Sequence, residues 1–569
     1  MIDIGALIKE NLLFFDGAMG TMLQQRGLNP GELPELLNVT HPEIVTDIHR
    51  EYVLAGADII TANTFQANAF KLKDTLDVET AVSAAIKCAK GSGARFVALD
   101  AGPLGQFMEP MGDISFERAY EAYKRQMIAG EKAGADLVII ETVADLYEAK
   151  AAILAAKENT ALPVICSMTF QADGRTFTGC DAITAAVALS GLQVSALGVN
   201  CSVGPDAMMP VVDTLLRYSK VPVIVQANAG LPVVRGDKTE YEVMPEQYAA
   251  KITEMVSRGV KIVGGCCGTT PQYIKTMKER MSGIKPVDTG FVPVTACSSG
   301  RSAVIFDGKI AVIGQRLNPA GNEDMQKSLR DGEMEDLIDE AMDQLDDGAH
   351  VLDLNVALPD TDEPALLREA VRVLQGAVAS PLSLDSADPA AIEAALRVYN
   401  GKAVVNSANG KKDVMDTLFP LVKKYGAVVV CLTLDENGIP ETAEKRLQVA
   451  GKIRDTALYY GIGEEDLLID CLALTASAQQ NQAKETLEAI RMVKSELGLK
   501  TVLGISNISF GMPERDALNA AFLAAAVAAG LDAAILDPAQ KRCREALLAC
   551  RVLTGEDKAA SGYIEEHGR

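Results

Sequence analysis

The sequence predicts an α/β protein built as two consecutive (β/α)8 barrels, and three observations carry that prediction. Short apolar runs alternate with amphipathic segments along most of the 569 residues. The alternation passes through eight units twice. A polar stretch rich in Pro, Gly, Ser and Thr separates the two sets. Runs that are apolar at nearly every position suit strands buried on both faces, which means parallel sheet covered by helices. Eight βα units close naturally into a barrel, whereas an open doubly wound sheet has no reason to count to eight twice.

In the first half the strand candidates are LLFFDGAMG, ADIITANTF, RFVALDAGP, ADLVIIETVAD, LPVICSMTF, VSALGVNCS, VPVIVQANAG and VKIVGGCCG. Amphipathic stretches such as SFERAYEAYKRQMIAGEKAG and MPEQYAAKITEMVSRG lie between them. The second half offers KIAVIGQRLNPAG, AHVLDLNVA, SPLSLDSAD, KAVVNSANG, AVVVCLTLDENG, DLLIDCLALT, TVLGISNISFG and LDAAILDPAQ. The expected organisation is a barrel over 1–285, a short linker over 286–302 without helical period, a second barrel over 303–555 and a polar, frayed tail over 556–569.

Hydrophobic residues make up 48% and charged residues 23%, the profile of a soluble globular protein. The net charge of −23 repels phosphate backbones, so nucleic acid is not an expected partner. No apolar run approaches the roughly 20 residues that span a bilayer, so no membrane role is expected. The N-terminus lacks a basic region with a small-residue cleavage site, and a cytoplasmic location is expected. Eleven cysteines are too sparse for a disulfide framework in so long a chain. The four histidines show no metal-ligand spacing, so a metal site here must use thiols or carboxylates.

Catalytic groups of a parallel barrel sit where the strands end. The first half places Asp16, Asn63, Asp100, Glu141, Asn200–Cys201 and Cys266–Cys267 there. Cys201 follows the sixth strand, and Cys266 and Cys267 follow the eighth inside GGCCGTTP. Three thiolates and one open position describe a catalytic zinc site, with a vicinal disulfide at 266–267 as the alternative. Gly264, Gly265 and Gly268 would let the backbone bend so that adjacent cysteines reach one metal. Three thiolates make zinc a poor Lewis acid toward water and suit a soft fourth ligand, a substrate thiol whose pKa then falls. That chemistry is thiol alkylation.

The motifs DGAMGT, ANTF, IIETVAD, VNCS and GGCCGTTP, over about residues 10–283, resemble the homocysteine S-methyltransferase domain. The resemblance implies that Cys201, Cys266 and Cys267 hold zinc and that the zinc takes the homocysteine sulfur. It also implies that Asp16 and Glu141 help hold the amino group, with Asn200 beside them. Carboxylates suit an α-ammonium, which has only donors to offer. Plainer roles stand beside these: a turn or helix cap for Asp16 and a solvated strand end for Glu141.

The second half presents amides and acids at its strand ends: Asn318, Asp353, Asn355, Asp385, Asn406, Asp470, Asn507 and Asp537. Over about residues 305–550, IGQRLNPAG, SLDS, VNSANG, LIDCLAL and GISNISFGMPER resemble the pterin-binding family of dihydropteroate synthases and methyltetrahydrofolate:corrinoid methyltransferases, the last motif pointing to the methyltransferase branch. The resemblance implies that Asp385, Asn406 and Asp470 bind the edge of the pterin ring, with Asn318 in the same folate set. It places Asn507 near the nitrogen that carries the methyl group and Arg515 nearby. Asp470 and Asn507 are then the catalytic pair, because a methylated tertiary amine leaves only when its nitrogen is protonated or strongly hydrogen-bonded. Asp388 suits the cap of the helix after SLDSAD better than Asp385 does. Two positions depart from the family pattern: Gln315 stands where Glu is usual, and Cys471 where Pro is usual.

In tandem the two halves resemble the homocysteine-binding and pterin-binding modules of the cobalamin-dependent methionine synthase family. That likeness implies methyl transfer from 5-methyltetrahydrofolate, by way of cobalamin, to homocysteine. The cobalt ligand of such proteins lies in an Asp-x-His-x-x-Gly motif. The nearest match, Asp47-Ile48-His49-Arg50-Glu51-Tyr52, lacks the Gly and falls in a predicted helix. The corrinoid is therefore expected on a separate domain or subunit. Two other readings are a corrinoid-independent homocysteine methyltransferase with a sulfonium or betaine donor, which leaves the second barrel unexplained, and a non-catalytic folate- or thiol-binding protein.

Overall fold

The structure is a computed structural model that describes residues 3–568 except 30, 236–237 and 289–290. It divides into two compact units, Met1–Val292 and Pro293–Arg569.

Eight parallel strands form the first unit: β1 (Leu13–Phe14), β2 (Ile59–Thr61), β3 (Phe96–Ala101), β4 (Leu137–Val143), β5 (Val164–Met168), β6 (Ala196–Asn200), β7 (Val223–Ala227) and β8 (Ile262–Gly265). They pair in sequence order from β2 to β8, and β8 returns to β1 with Leu13 opposite Ile262. A parallel bridge from Phe15 to Ile59 closes the ring. Each strand alternates with helix because the sequence supplies both the apolar run and the stop signals. Ser115 caps the helix Phe116–Ala133 and left-handed Gly134 ends it; Asp77 and Asp181 cap Val78–Gly91 and Ala182–Gly191. The interior is filled by Phe15, Ile59, Leu137, Ile165 and Ile224, and Ile4 and Ile8 of the N-terminal segment join that core.

The second unit is a closed barrel of β9 (Ala311–Gly314), β10 (Val351–Leu354), β11 (Leu382–Asp385), β12 (Val404–Asn409), β13 (Val428–Leu432), β14 (Leu467–Asp470), β15 (Lys500–Gly504) and β16 (Ala533–Leu536). The two-barrel expectation is met. The stretch predicted as a linker over 286–302 is not all irregular: Ala296–Ser298 pairs antiparallel with Ala303–Ile305. Ser298 and Lys402 exchange backbone hydrogen bonds, and Cys297 and Phe306 are buried in the barrel core. Its serines and glycines concealed a hairpin that belongs to the second unit. The tail expected to fray contains a short helix, Ser561–His567, where Asp557 accepts from the amides of Gly562 and Tyr563. No helix among the described residues is long and apolar enough to cross a membrane.

Candidate functional site

In the first barrel, Cys201 directly follows β6 and Cys266 directly follows β8. Cys201 takes a left-handed backbone, φ 60°, and donates its amide to the Gln226 carbonyl. Past Gly265 the chain turns tightly, with Thr269 donating both its amide and its hydroxyl to the Cys266 carbonyl. The bend sits at Gly268, whose φ of +83° favours glycine. Gly264 and Gly265 are required for a different reason from the predicted bend. A Cβ at 264 would lie 2.8 Å from Phe15, and one at 265 would lie 2.3 Å from the Thr269 hydroxyl.

The three sulfurs all lie within 4.8 Å of one another, and Cys201 and Cys267 are 3.9 Å apart. A tetrahedral zinc with Zn–S near 2.3 Å spaces its sulfurs about 3.8 Å apart, which the Cys201–Cys267 separation matches, with Cys266 within 4.8 Å of both. All eleven cysteines are free thiols, so no vicinal disulfide joins 266 to 267. Cys266 and Cys267 direct hydrogen bonds to Cys201, which lowers that thiol to about 3. The same interaction, with burial, raises Cys267 to about 12.

The thiols open onto a cavity of about 270 Å³ that also holds Asp16, Glu35, Asp100 and Glu141. Among the described residues, no Lys, Arg or His lines it. Asp16 is no helix cap: it is buried, and its Oδ2 accepts from the Thr61 amide at 2.9 Å. Burial pushes Asp16 up to about 7. Burial, Cys201 and Asp16 push Glu141 up to about 8. The Asp100 carboxyl is raised well above the carboxylate range by burial and by Glu141, Glu35 and Asp16. Asp100 Oδ1 and Glu35 Oε2 are buried with no hydrogen-bond partner. Unpaired buried acceptors beside two more acids anticipate a cationic donor.

Asn200 is not among the cavity-lining residues. Fully buried, its amide receives from Ser167 Oγ (2.8 Å) and the Thr142 amide (2.9 Å), gives to Thr142 Oγ1 (2.8 Å), and reaches Cys266 Sγ at 3.9 Å. It braces β4, β5 and β6 behind the thiols. Glu35, lying in the Pro34–Leu36 turn, carried no strand-end signal in the sequence. His49 is fully buried in the helix Pro42–Ala55, which rules it out as an exposed ligand for an external cobalt.

The second barrel gathers acids and amides at the corresponding ends. Asn406 donates to both oxygens of Asp353, and Asn355 donates to Asp385 Oδ2 at 3.1 Å. Asp470 Oδ1 accepts from the Leu472 amide at 2.7 Å. Burial raises Asp470 to about 6; burial and Asp385 raise Asp353 to about 7. Asp385 is raised as well, chiefly by burial. Asp388 caps the helix Pro389–Val398, which leaves Asp385 free of that task. Cys471, at the unusual position, is a buried thiol whose carbonyl accepts from Arg446. Arg446 is itself fully buried and also binds the Leu472 carbonyl, Thr486 and Gln482, so it clamps the loop that follows Asp470.

The remaining expected residues are on loops. Asn318 is half-buried and its Oδ1 accepts from the Ala320 amide, an internal turn bond. Asn507 is exposed in the turn Ile505–Ser509, and a Cβ at Gly504 would come within 3.0 Å of its amide nitrogen. Arg515 is also exposed, but its guanidinium is engaged: it binds Ser509 Oγ and the Ser506 carbonyl, both at 3.0 Å, and so braces the Asn507 turn.

Two parallel barrels, one mouthed by thiols and acids and the other by amides and acids, define a two-module α/β-barrel protein. Residues 13–281 match the family model described as homocysteine S-methyltransferase, and residues 314–537 match the one described as pterin binding enzyme. The first module is thus similar to the homocysteine S-methyltransferases and the second to the pterin-binding enzymes, an arrangement consistent with the N-terminal two modules of methionine synthase. It is 32% identical over 572 residues to a methionine synthase of Mycobacterium tuberculosis (strain ATCC 25618 / H37Rv), covering 94% of this chain and 48% of that protein. The methionine synthase of Mycobacterium leprae (strain TN) is also 32% identical, with the same coverage. The chain thus spans about half the length of the curated relatives it matches. Among solved structures, the metallated form of the homocysteine methyltransferase MmuM from Escherichia coli is 24% identical over 49% of this chain and 99% of its own, with a TM-score of 0.42. The dihydropteroate synthase of Xanthomonas albilineans in complex with 7,8-dihydropteroate is 17% identical over 46% of this chain and 98% of its own, with a TM-score of 0.36.

Proposed function

We propose that the chain supplies the two substrate sites of a methionine synthase: 5-methyltetrahydrofolate in the second barrel, homocysteine in the first, and cobalamin as carrier between them. The observation that carries this reading is the set of three thiols with sulfurs within 4.8 Å, facing a cavity walled by four carboxyls. Cys201, Cys266 and Cys267 would hold zinc, which when bound would lower the pKa of the substrate thiol and present it as a thiolate. Asp16 and Glu141 would receive the α-ammonium, and Asn200 would keep the strand ends in register behind them.

In the second barrel Asp385, Asn406 and Asp470 would match the donors and acceptors of the pterin edge, with Asp353 and Asn355 setting the rotamers of Asn406 and Asp385. Asn507 would hold the proton at the nitrogen that releases its methyl group, because an unprotonated amide-like nitrogen is a poor leaving group. Asn318 and Arg515 would shape the loops around the folate. Cobalamin would supply a strong nucleophile for the folate methyl and a good leaving group toward the thiolate.

The deciding experiment mixes the chain with methyltetrahydrofolate and homocysteine, with and without added cobalamin and a reductant. Methionine formed only with cobalamin is the expected result. Steady formation without it would favour direct transfer, and no formation in either arm, with folate and homocysteine both bound, would favour a binding protein.

A further inference from the structure

Four carboxyls face the thiol cavity, and an α-ammonium needs only two of them. Glu35 is fully buried and Asp100 is 5% exposed, and both line the cavity. Each is held by its neighbours with one oxygen left over. Glu35 Oε1 accepts from the Gln66 amide at 2.7 Å, while Oε2 has no partner. The segment that carries Glu35 is pinned next to β2: Asn63 Nδ2 donates to the Pro34 carbonyl and to Asn38 Oδ1, both at 2.9 Å, and Asn38 Nδ2 donates to the Asn63 carbonyl at 2.8 Å. The backbone of Asp100 is fixed by Thr64, whose hydroxyl accepts from its amide and donates to its carbonyl, and by Gln126 Nε2, which binds the same carbonyl at 3.0 Å. Asp100 Oδ1 is unpartnered as well.

Charge decides what these two oxygens are for. The other titratable groups facing the cavity are Asp16, Glu141 and the three thiols, and no cation lines it among the described residues. Like charges crowded around about 270 Å³ and shielded from water cannot all ionise. An α-ammonium has three N–H groups and one charge, and Asp16 and Glu141 suffice to receive it. An amino acid also brings an α-carboxylate, which four ionised acids would expel. A protonated carboxyl removes both difficulties: it carries no charge, and its unpartnered oxygen becomes an O–H donor. Burial raises the Glu35 carboxyl, and burial with Glu141, Glu35 and Asp16 raises that of Asp100, in the direction this requires.

We propose that Glu35 and Asp100 bind substrate as neutral acids: their hydroxyls donate to the α-carboxylate of the incoming amino-acid thiol, so that the cavity selects a zwitterion by meeting its two charged groups with carboxyls in opposite protonation states. This rests on reading the first barrel as a homocysteine site. A hydrogen bond from a neutral acid to a carboxylate is charge-assisted and short. In a cavity shielded from water it discriminates against a thiol that lacks the carboxylate, because the buried hydroxyls are then left unpaired.

The test is calorimetric titration of the full, zinc-loaded chain with homocysteine and with 3-aminopropane-1-thiol, which keeps the thiol and the ammonium and lacks the carboxylate. Glu35→Gln and Asp100→Asn keep a neutral donor, and each should bind homocysteine within about threefold of wild type. Glu35→Ala and Asp100→Ala remove the donor and should weaken homocysteine about ten- to a hundredfold, with 3-aminopropane-1-thiol unchanged. In wild type the ratio of the homocysteine affinity to that of 3-aminopropane-1-thiol should fall as pH rises from 6 to 8.5, because an acid that ionises repels the carboxylate. The Glu35→Gln/Asp100→Asn double variant should hold that ratio level. Gln and Asn variants as weak as the Ala ones, or a ratio that rises with pH, would show that the two carboxyls act as anions and would overturn the proposal. Equal affinity of wild type for the two thiols would overturn it as well. Homocysteine that fails to bind wild type at all would overturn the substrate reading itself, and the proposal with it.

Discussion

Asn406 donates its side-chain amide to both carboxylate oxygens of Asp353, at 3.1 and 3.3 Å. Asp353 is buried between β9 and β11 and shares the barrel end with Asp385. Replacing Asn406 with Leu keeps the volume and removes the donor, leaving a buried carboxyl unpaired. The expected cost is about 1–3 kcal/mol in urea unfolding of the full chain. Adding Asp353→Leu should recover part of it, because two apolar partners of similar shape leave nothing unsatisfied. Strict additivity of the two substitutions would show that the pair is not coupled.

Protonation sets a pH dependence with opposite signs for stability and binding. Asp470 is raised to about 6 and Asp353 to about 7, so both carboxyls are favoured as neutral acids in the fold. Their contribution to stability is fully present below the unfolded value of about 4 and is lost as pH rises through 6 and 7. A pterin edge that donates hydrogen bonds needs the ionised acceptor. Methyltetrahydrofolate should therefore bind more tightly as pH rises from 5.5 to 7.5, and Asp470→Asn should flatten the lower part of that curve. Fluorescence titration across this range checks the sign, and an affinity that falls with pH would contradict it.

The barrels and the thiol triad were legible in the sequence because strand periodicity and strand ends are local signals. Cys201, Cys266 and Cys267 each follow an apolar run, and a barrel brings such ends together whatever the loops do. Glu35 was not legible, because it sits in a one-turn helix, a position that periodicity does not fix. Asn200 and Arg515 were legible as neighbours of the sites but not in their tasks: the partners that engage them, Ser167 and Thr142 for one, Ser506 and Ser509 for the other, come from tertiary packing. The hairpin at Ala296–Ile305 was hidden for a related reason, since its pairing with Lys402 lies about a hundred residues away.

Zinc is expected at close to one atom per chain. The Cys266→Ala/Cys267→Ala double substitution leaves Cys201 alone and should abolish binding, while Cys201→Ala should weaken it severely. Elemental analysis of dialysed protein reads the stoichiometry. Near-stoichiometric zinc in the double variant would mean that the metal is held elsewhere.

The two half-reactions should separate at Asn507. Its amide sits over Gly504, where any side chain would intrude, and Arg515 fixes the turn through Ser506 and Ser509. All of these residues belong to the second unit. Asn507→Ala should lower methyl transfer from methyltetrahydrofolate to reduced cobalamin by about a hundredfold, the usual scale for removing a group that assists protonation in the transition state. Transfer from methylcobalamin to homocysteine should be unchanged, and so should the zinc content. Arg515→Ala acts only through the turn, so it should impair the same half-reaction more mildly and raise KM for the folate more than it lowers kcat. Stopped-flow assays of each half-reaction distinguish these outcomes. If Asn507→Ala slowed both transfers in a folded, zinc-loaded chain, the division of labour between the barrels would be wrong.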